Sequence, residues 1–167
     1  MQREGGQERM RKALTVKWNR DRGLLDTFNP GLEVSMLSEE AKEFYNAETL
    51  SHMLAEYADF IFVLDGTQAK FGSYIAESYS DQINIFRKYK EILEWANVVL
   101  LDMQEHLCSM LGENYNEVSG LIKMASSFVV SCNNLKGTKK ENGKVVKNTD
   151  HADPAVLIQE ELDRLGF

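Results

Sequence analysis

The stretch Ala55-Glu-Tyr-Ala-Asp-Phe-Ile-Phe-Val-Leu-Asp-Gly-Thr67 decides how this chain is read. From Leu50 to Phe71 the apolar residues Leu50, Met53, Leu54, Tyr57, Phe60, Ile61 and Leu64 follow helical spacing. Glu56 and Asp59 interrupt that run at an i, i+3 step, which puts both on one helix face. Asp59 stands among Tyr57, Ala58, Phe60, Ile61, Phe62 and Val63, where a carboxylate is partly desolvated and needs a partner. No lysine or arginine occurs between Ala55 and Ala69 to supply one. Upstream, Glu39-Glu40-Ala-Lys-Glu43 repeats the pairing on a second predicted helix, Val34 to Tyr45, with Ser38 as a candidate N-cap. The short connection Asn46 to Thr49 makes the two helices antiparallel neighbours. Their acids then meet at one point, which is strongly repulsive unless cations balance it. All-oxygen ligands suit Mg2+ or Mn2+. An acidic trio by itself is a solvated face; Asp59 on its apolar stretch is what argues for a metal-dependent site of phosphate chemistry.

The rest of the chain predicts an all-α fold in a single domain over residues 1–167. Met1 to Arg22 is polar, with helix expected only around Lys12 to Arg22. Asp26 to Gly31 reads as a loop, with Asn29-Pro30-Gly31 as a turn. Gly66 inside a helix is costly unless close packing requires it. Asp81 to Leu111 is the longest amphipathic pattern, ended by Gly112 as a C-cap, and Asn116 to Ser131 is a further helix. Asn133 to Asp153 is rich in lysine and asparagine and predicts a loop or small hairpin. A short helix, Val156 to Leu165, follows Pro154.

Composition narrows the function classes. A net charge of −7 argues against nucleic acid as a partner, although bound cations can reverse the local sign for a small phosphate substrate. Cys108 and Cys132 lack zinc-like spacing and predict reduced, buried thiols of a cytoplasmic protein. Met1-Gln-Arg-Glu-Gly-Gly-Gln-Glu has no apolar core of a signal peptide, and no run is long and apolar enough to span a membrane. His52, His106 and His151 are scattered, and Trp18 and Trp95 read as core or interface residues. Neither GxxxxGK[ST] nor GxSxG is present, so P-loop and serine-hydrolase chemistry are not expected.

Glu39-Glu40-Ala-Lys-Glu43, twelve intervening residues and Glu56-Tyr-Ala-Asp59 resemble the signature of the MazG-like nucleotide pyrophosphohydrolases. These belong to the all-α NTP pyrophosphatases, with phosphoribosyl-ATP pyrophosphohydrolase as a relative. Ala58 to Ala69 is similar to the family's second site helix, Gly66 and Thr67 included. The resemblance implies a helical bundle, usually completed by dimerisation, that converts a nucleoside triphosphate to monophosphate and pyrophosphate with Mg2+. It implies Glu40, Glu43, Glu56 and Asp59 as metal ligands, and Glu39 as a further ligand or as a base behind them. Glu39 and Glu43 are the better guesses for the catalytic base.

A second patch is similar to the phage-type branch of that family, whose members carry a Ser-Asn-Met-Ser-Lys-like segment, then Asp-Gly-Lys-Val-x-Lys and a proline-containing tail. Here stand Asn133-Asn134-Leu135-Lys136, then Asn142-Gly-Lys-Val-Val-Lys147, then Asp153-Pro154. Asn134 matches the family's asparagine. Gly137 takes the place of its lysine, leaving Lys136 and Lys139 as substrate-binding candidates. The resemblance further implies a nucleoside triphosphate substrate, a homodimer or higher oligomer, and the cytoplasm of a bacterium or phage-infected host. Ser73 to Glu113 has no counterpart in the short members; its long helix caps the site, replaces a dimer contact, or both. The competing reading is a catalytically inert helical dimer that serves as an interaction module.

Overall fold

A computed structural model describes residues 2–77, 82–112, 115–137, 140–142, 144–145 and 152–167. Among them are six helices: α1 (Gln2–Asp21), α2 (Pro30–Asn46), α3 (Leu50–Glu77), α4 (Gln82–Leu111), α5 (Tyr115–Asn134) and α6 (Pro154–Leu165). The fold is all-α. One antiparallel hairpin joins α5 to α6: β1 (Lys140–Glu141) pairs with β2 (Lys144–Val145), with Asn142 at φ +51° in its turn. No helix among the described residues is long and apolar enough to cross a membrane.

Helix α3 is the axis of the bundle, touching α1, α2, α4, α5 and α6. Its Tyr57, Phe60 and Leu64 are buried and meet Leu37 and Phe44 of α2, Met103 and Leu107 of α4, and Val118, Val129 and Ile158 beyond. Burying a large side chain of this kind contributes about 1.5–3 kcal/mol, so this one cluster fixes the helix arrangement. Polar ties between helices add direction. Tyr57 Oη accepts from Gln104 Nε2 at 2.6 Å, Tyr45 donates to Asp102, and Arg11 pairs with the buried Asp65 at 2.8 Å.

Several boundaries differ from the sequence expectation. Helix α1 begins at Gln2 rather than near Lys12. Gln, Glu, Arg and Met are strong helix formers, and the Glu8–Lys12 pair at 2.8 Å adds an i, i+4 contact. Helix α2 begins at Pro30, not at Val34. Asn29 is its N-cap, accepting from the Leu32 amide at 3.2 Å, and Pro30 takes the first helical position where its missing N–H costs nothing. Ser38 is therefore mid-helix and exposed rather than a cap. Helix α3 runs on past Phe71 to Glu77, and α5 to Asn134. The long helix α4 turns its stripe inward: Ile92, Ala96, Met103 and Leu107 are buried, while Phe86 and Met110 are exposed. Gly112, at φ +61°, adopts the left-handed conformation expected of its capping place.

Candidate metal centre

Helices α2 and α3 pack antiparallel across the three-residue connection Ala47–Thr49, with Thr49 Oγ1 accepting from the His52 amide at 3.3 Å. On α2, Leu37, Ala41 and Phe44 enter the core, which turns Met36, Glu40 and Glu43 towards the next face. On α3, Tyr57, Phe60 and Leu64 enter the core, which leaves Glu56, Asp59, Val63, Gly66 and Lys70 as a second stripe.

Where the two stripes meet, one carboxylate oxygen each from Glu40, Glu43 and Glu56 lies within 4.8 Å of the others. Glu40 and Glu56 are half-buried and Glu43 is exposed. Asp59 is half-buried, and together with Glu40 it lines an adjoining cleft of about 110 Å3. Burial, and then the charges of Asp59, Glu56, Glu43 and Glu39, push the Glu40 carboxyl up to about 9. The paired spacing thus gathers Glu40, Glu43 and Glu56, and leaves Asp59 outside that trio but close enough for its charge to act on Glu40. The donor set fits a hard divalent cation: it is all carboxylate oxygen, it is crowded, and burial and the neighbouring acids push half-buried Glu40 towards its protonated form.

The two expected proton acceptors differ in setting. Glu39 is half exposed and paired with Lys144 of β2. Glu43 belongs to the cluster itself. The hairpin therefore arches back over the open end of the cleft, which Lys144 and Val145 help to line.

Of the substrate-binding candidates, Lys136 lines the cleft and Asn134 is exposed at the end of α5. Its neighbour Asn133 lines the cleft in its place. Only 3 % of Asn133 is exposed. Lys139 lies outside the described residues. Arg22 fixes this wall: it donates to the carbonyl oxygens of Lys136 at 2.6 Å and Gly137 at 3.2 Å, while its guanidinium sits 4.2 Å over the Trp18 ring.

Three further features emerge only from packing. Trp18 is a core residue, as expected, but its edge contact with Phe62 also makes the two rings one wall of the cleft. Gly66 is where α1 crosses α3: a Cβ there would lie 3.3 Å from Asn19 Nδ2, so glycine lets Asn19 enter the cleft wall. Finally, Glu33 of α2 is 1 % exposed and held by Thr67 Oγ1 at 2.6 Å and Lys70 Nζ at 2.8 Å. Helical arithmetic from Asp59, in steps of four, three and four, reaches Val63, Gly66 and Lys70 and was the available signal for that lysine.

Both cysteines are free thiols, Cys132 buried and Cys108 half-buried. His52 bonds Thr49 at the start of α3, and His106 packs on Phe44 and Tyr45 outside the acidic cluster. No protein-family model, curated protein or solved structure matches this chain.

Proposed function

We propose that this protein is a metal-dependent nucleoside triphosphate pyrophosphohydrolase of the MazG-like, all-α type. The observation that carries the reading is the carboxylate cluster of Glu40, Glu43 and Glu56 at the mouth of a cleft walled by aromatic rings, carboxamides and lysines. An acidic face built only for solubility has no need of that cleft.

Glu40, Glu43, Glu56 and Asp59 hold Mg2+, with Mn2+ as a substitute. When bound, the cation offsets phosphate charge, acidifies water and stabilises the departing pyrophosphate. The reaction adds water across the anhydride bond between the α and β phosphates, giving a nucleoside monophosphate and pyrophosphate. The carboxylate of Glu43 or Glu39 accepts the proton of that water. Lys144, now on Glu39, and Lys136 face the phosphates from the opposite wall. The ring and carboxamide wall of Trp18, Phe62, Asn19 and Asn133 receives the base and excludes water around it. Substrate, homodimer and cytoplasmic setting belong to the same proposal.

Mn2+ titration by calorimetry, followed by pyrophosphate release from each nucleoside triphosphate, tests the reading. Site-specific binding and release of pyrophosphate are expected. A protein that binds Mn2+ only weakly and turns over no nucleotide is instead the inert helical module.

A further inference from the structure

Lys70 lies on the same stripe of α3 as Asp59, eleven residues further along. At about 1.5 Å of rise per residue, this is about 16 Å of helix. The cleft runs along that stripe with acids at one end and Lys70 at the other. A nucleotide held by its phosphates at the acidic end lays its sugar and then its base along the same line.

Lys70 is 7 % exposed, and Glu33 takes one N–H of its ammonium. An ammonium has three donors and no acceptor, and the other two find no acceptor among the described residues. One turn back, Gly66 admits Asn19, which is 2 % exposed. Asn19 Nδ2 donates to the Thr15 carbonyl at 2.8 Å, which fixes the orientation of the amide. Its Oδ1 receives no hydrogen bond among the described residues, so it is an acceptor left over in the cleft wall. Lys70 and Asn19 thus both line this part of the cleft, one offering a cationic donor and the other an acceptor oxygen.

We infer that Lys70 is a specificity-determining residue that, with Asn19 beside it, reads the lactam edge of a nucleobase: a ring carbonyl next to a ring N–H, as in guanine, uracil or thymine. This rests on the hydrolase reading of the same cleft. The carbonyl concentrates negative charge and accepts from the ammonium, and the adjacent N–H donates to Asn19 Oδ1. Lysine makes the same kind of contact to guanine O6 and N7 in nucleic-acid recognition. Adenine and cytosine carry an amine where the carbonyl would be, and set its N–H groups against the ammonium. A buried donor left without its acceptor then works against them.

The test is kcat/KM with Mg2+ for GTP, UTP, ATP and CTP and their deoxy forms, on the wild type and on Lys70→Met, with Tm recorded for each protein. The wild type is expected to favour the guanine or uracil nucleotide over ATP and CTP by about tenfold or more. Lys70→Met is expected to collapse that ratio, with the guanine or uracil rate falling and the ATP and CTP rates rising as the opposing ammonium is removed. The GTP and UTP arms separate a purine from a pyrimidine site. Lys70→Met leaves Glu33 buried without a counter-charge, so Lys70→Met with Glu33→Gln repeats the measurement without that burden. A ratio between two substrates on one preparation does not depend on how much of it is folded. Equal rates for all four bases, preference for adenine or cytosine, or an unchanged ratio in both variants overturns the assignment and leaves the hydrolase reading standing. No turnover of any triphosphate overturns both.

Discussion

The indole N–H of Trp18 donates to the carbonyl oxygen of Asn133 at 2.8 Å, joining the first helix to the end of the fifth across 115 residues of chain. That bond aligns the two walls of the cleft. Trp18→Phe keeps a ring against Phe62 but removes the bond, and is expected to cost about 1 kcal/mol in urea unfolding. Trp18→Ala also empties the wall and is expected to cost about 3–5 kcal/mol. In the hydrolase reading both raise KM more than they lower kcat. A Trp18→Ala protein with unaltered KM for its best nucleotide would take Trp18 out of the substrate wall.

Glu56→Gln and Asp59→Asn each remove one charge from a crowded set. Each is expected to abolish turnover and to leave the metal-free protein as stable as the wild type or more so, because one repulsive charge is gone. Thermal unfolding in a chelator, beside activity with Mg2+, measures both. Asp59→Asn with most of its activity intact would show that Asp59 is not a ligand.

The raised Glu40 carboxyl gives a definite pH dependence. Its pKa rises from 4.5 towards about 9 on folding, so the metal-free native state holds a proton that the unfolded chain releases. The Glu40 contribution to stability is complete below about 4.5 and is lost as pH climbs through about 9. Metal-free Tm should therefore fall with rising pH across that window. Glu40→Gln should flatten the slope, and in the hydrolase reading so should saturating Mn2+, which would bind the deprotonated acid and release the proton. An identical slope in Glu40→Gln would refute this origin.

Among the described residues, two ion pairs reach from α2 to distant segments, and burial separates their worth. Lys144–Glu39 has both side chains close to half exposed, and Lys144→Ala is expected to change unfolding by no more than about 1 kcal/mol. Glu33–Lys70 is buried, with side-chain exposures of 1 % and 9 %. Glu33→Ala strands the lysine and is expected to cost about 3–5 kcal/mol. Denaturant midpoints of the two variants within a few tenths of a molar of each other would contradict this ordering.

The outward face of α4 carries Val98 and Leu101, both more than half exposed, on the opposite side from its buried stripe. If the protein is the expected homodimer, that face is the natural seam. Light scattering should give the mass of two chains, and Val98→Glu with Leu101→Glu should halve it. A single-chain mass for the wild type assigns α4 a purely internal role, in which it closes the bundle in place of a second copy.

The sequence by itself determined the helices and the meeting of the acids. Glu40, Glu43 and Glu56 are local to two helices joined by a short connection, so helical periodicity and loop length suffice to put these three together, while Asp59 stands beside them in the cleft. The apolar spacing likewise required an all-α core centred on Tyr57, Phe60 and Leu64. The start of α2 was also written locally: Asn29-Pro30 has the composition of a turn and of a helix N-terminus alike, and the following residues let the helix win. Tertiary structure alone decided the far end of the cleft. Which of two adjacent asparagines faces inward depends on α5 running to Asn134, and the choice fell on Asn133. Lys70 could be placed on the stripe of Asp59 by counting, but its partner Glu33 stands on another helix, and helical spacing carries no information about what a side chain meets across a packing interface.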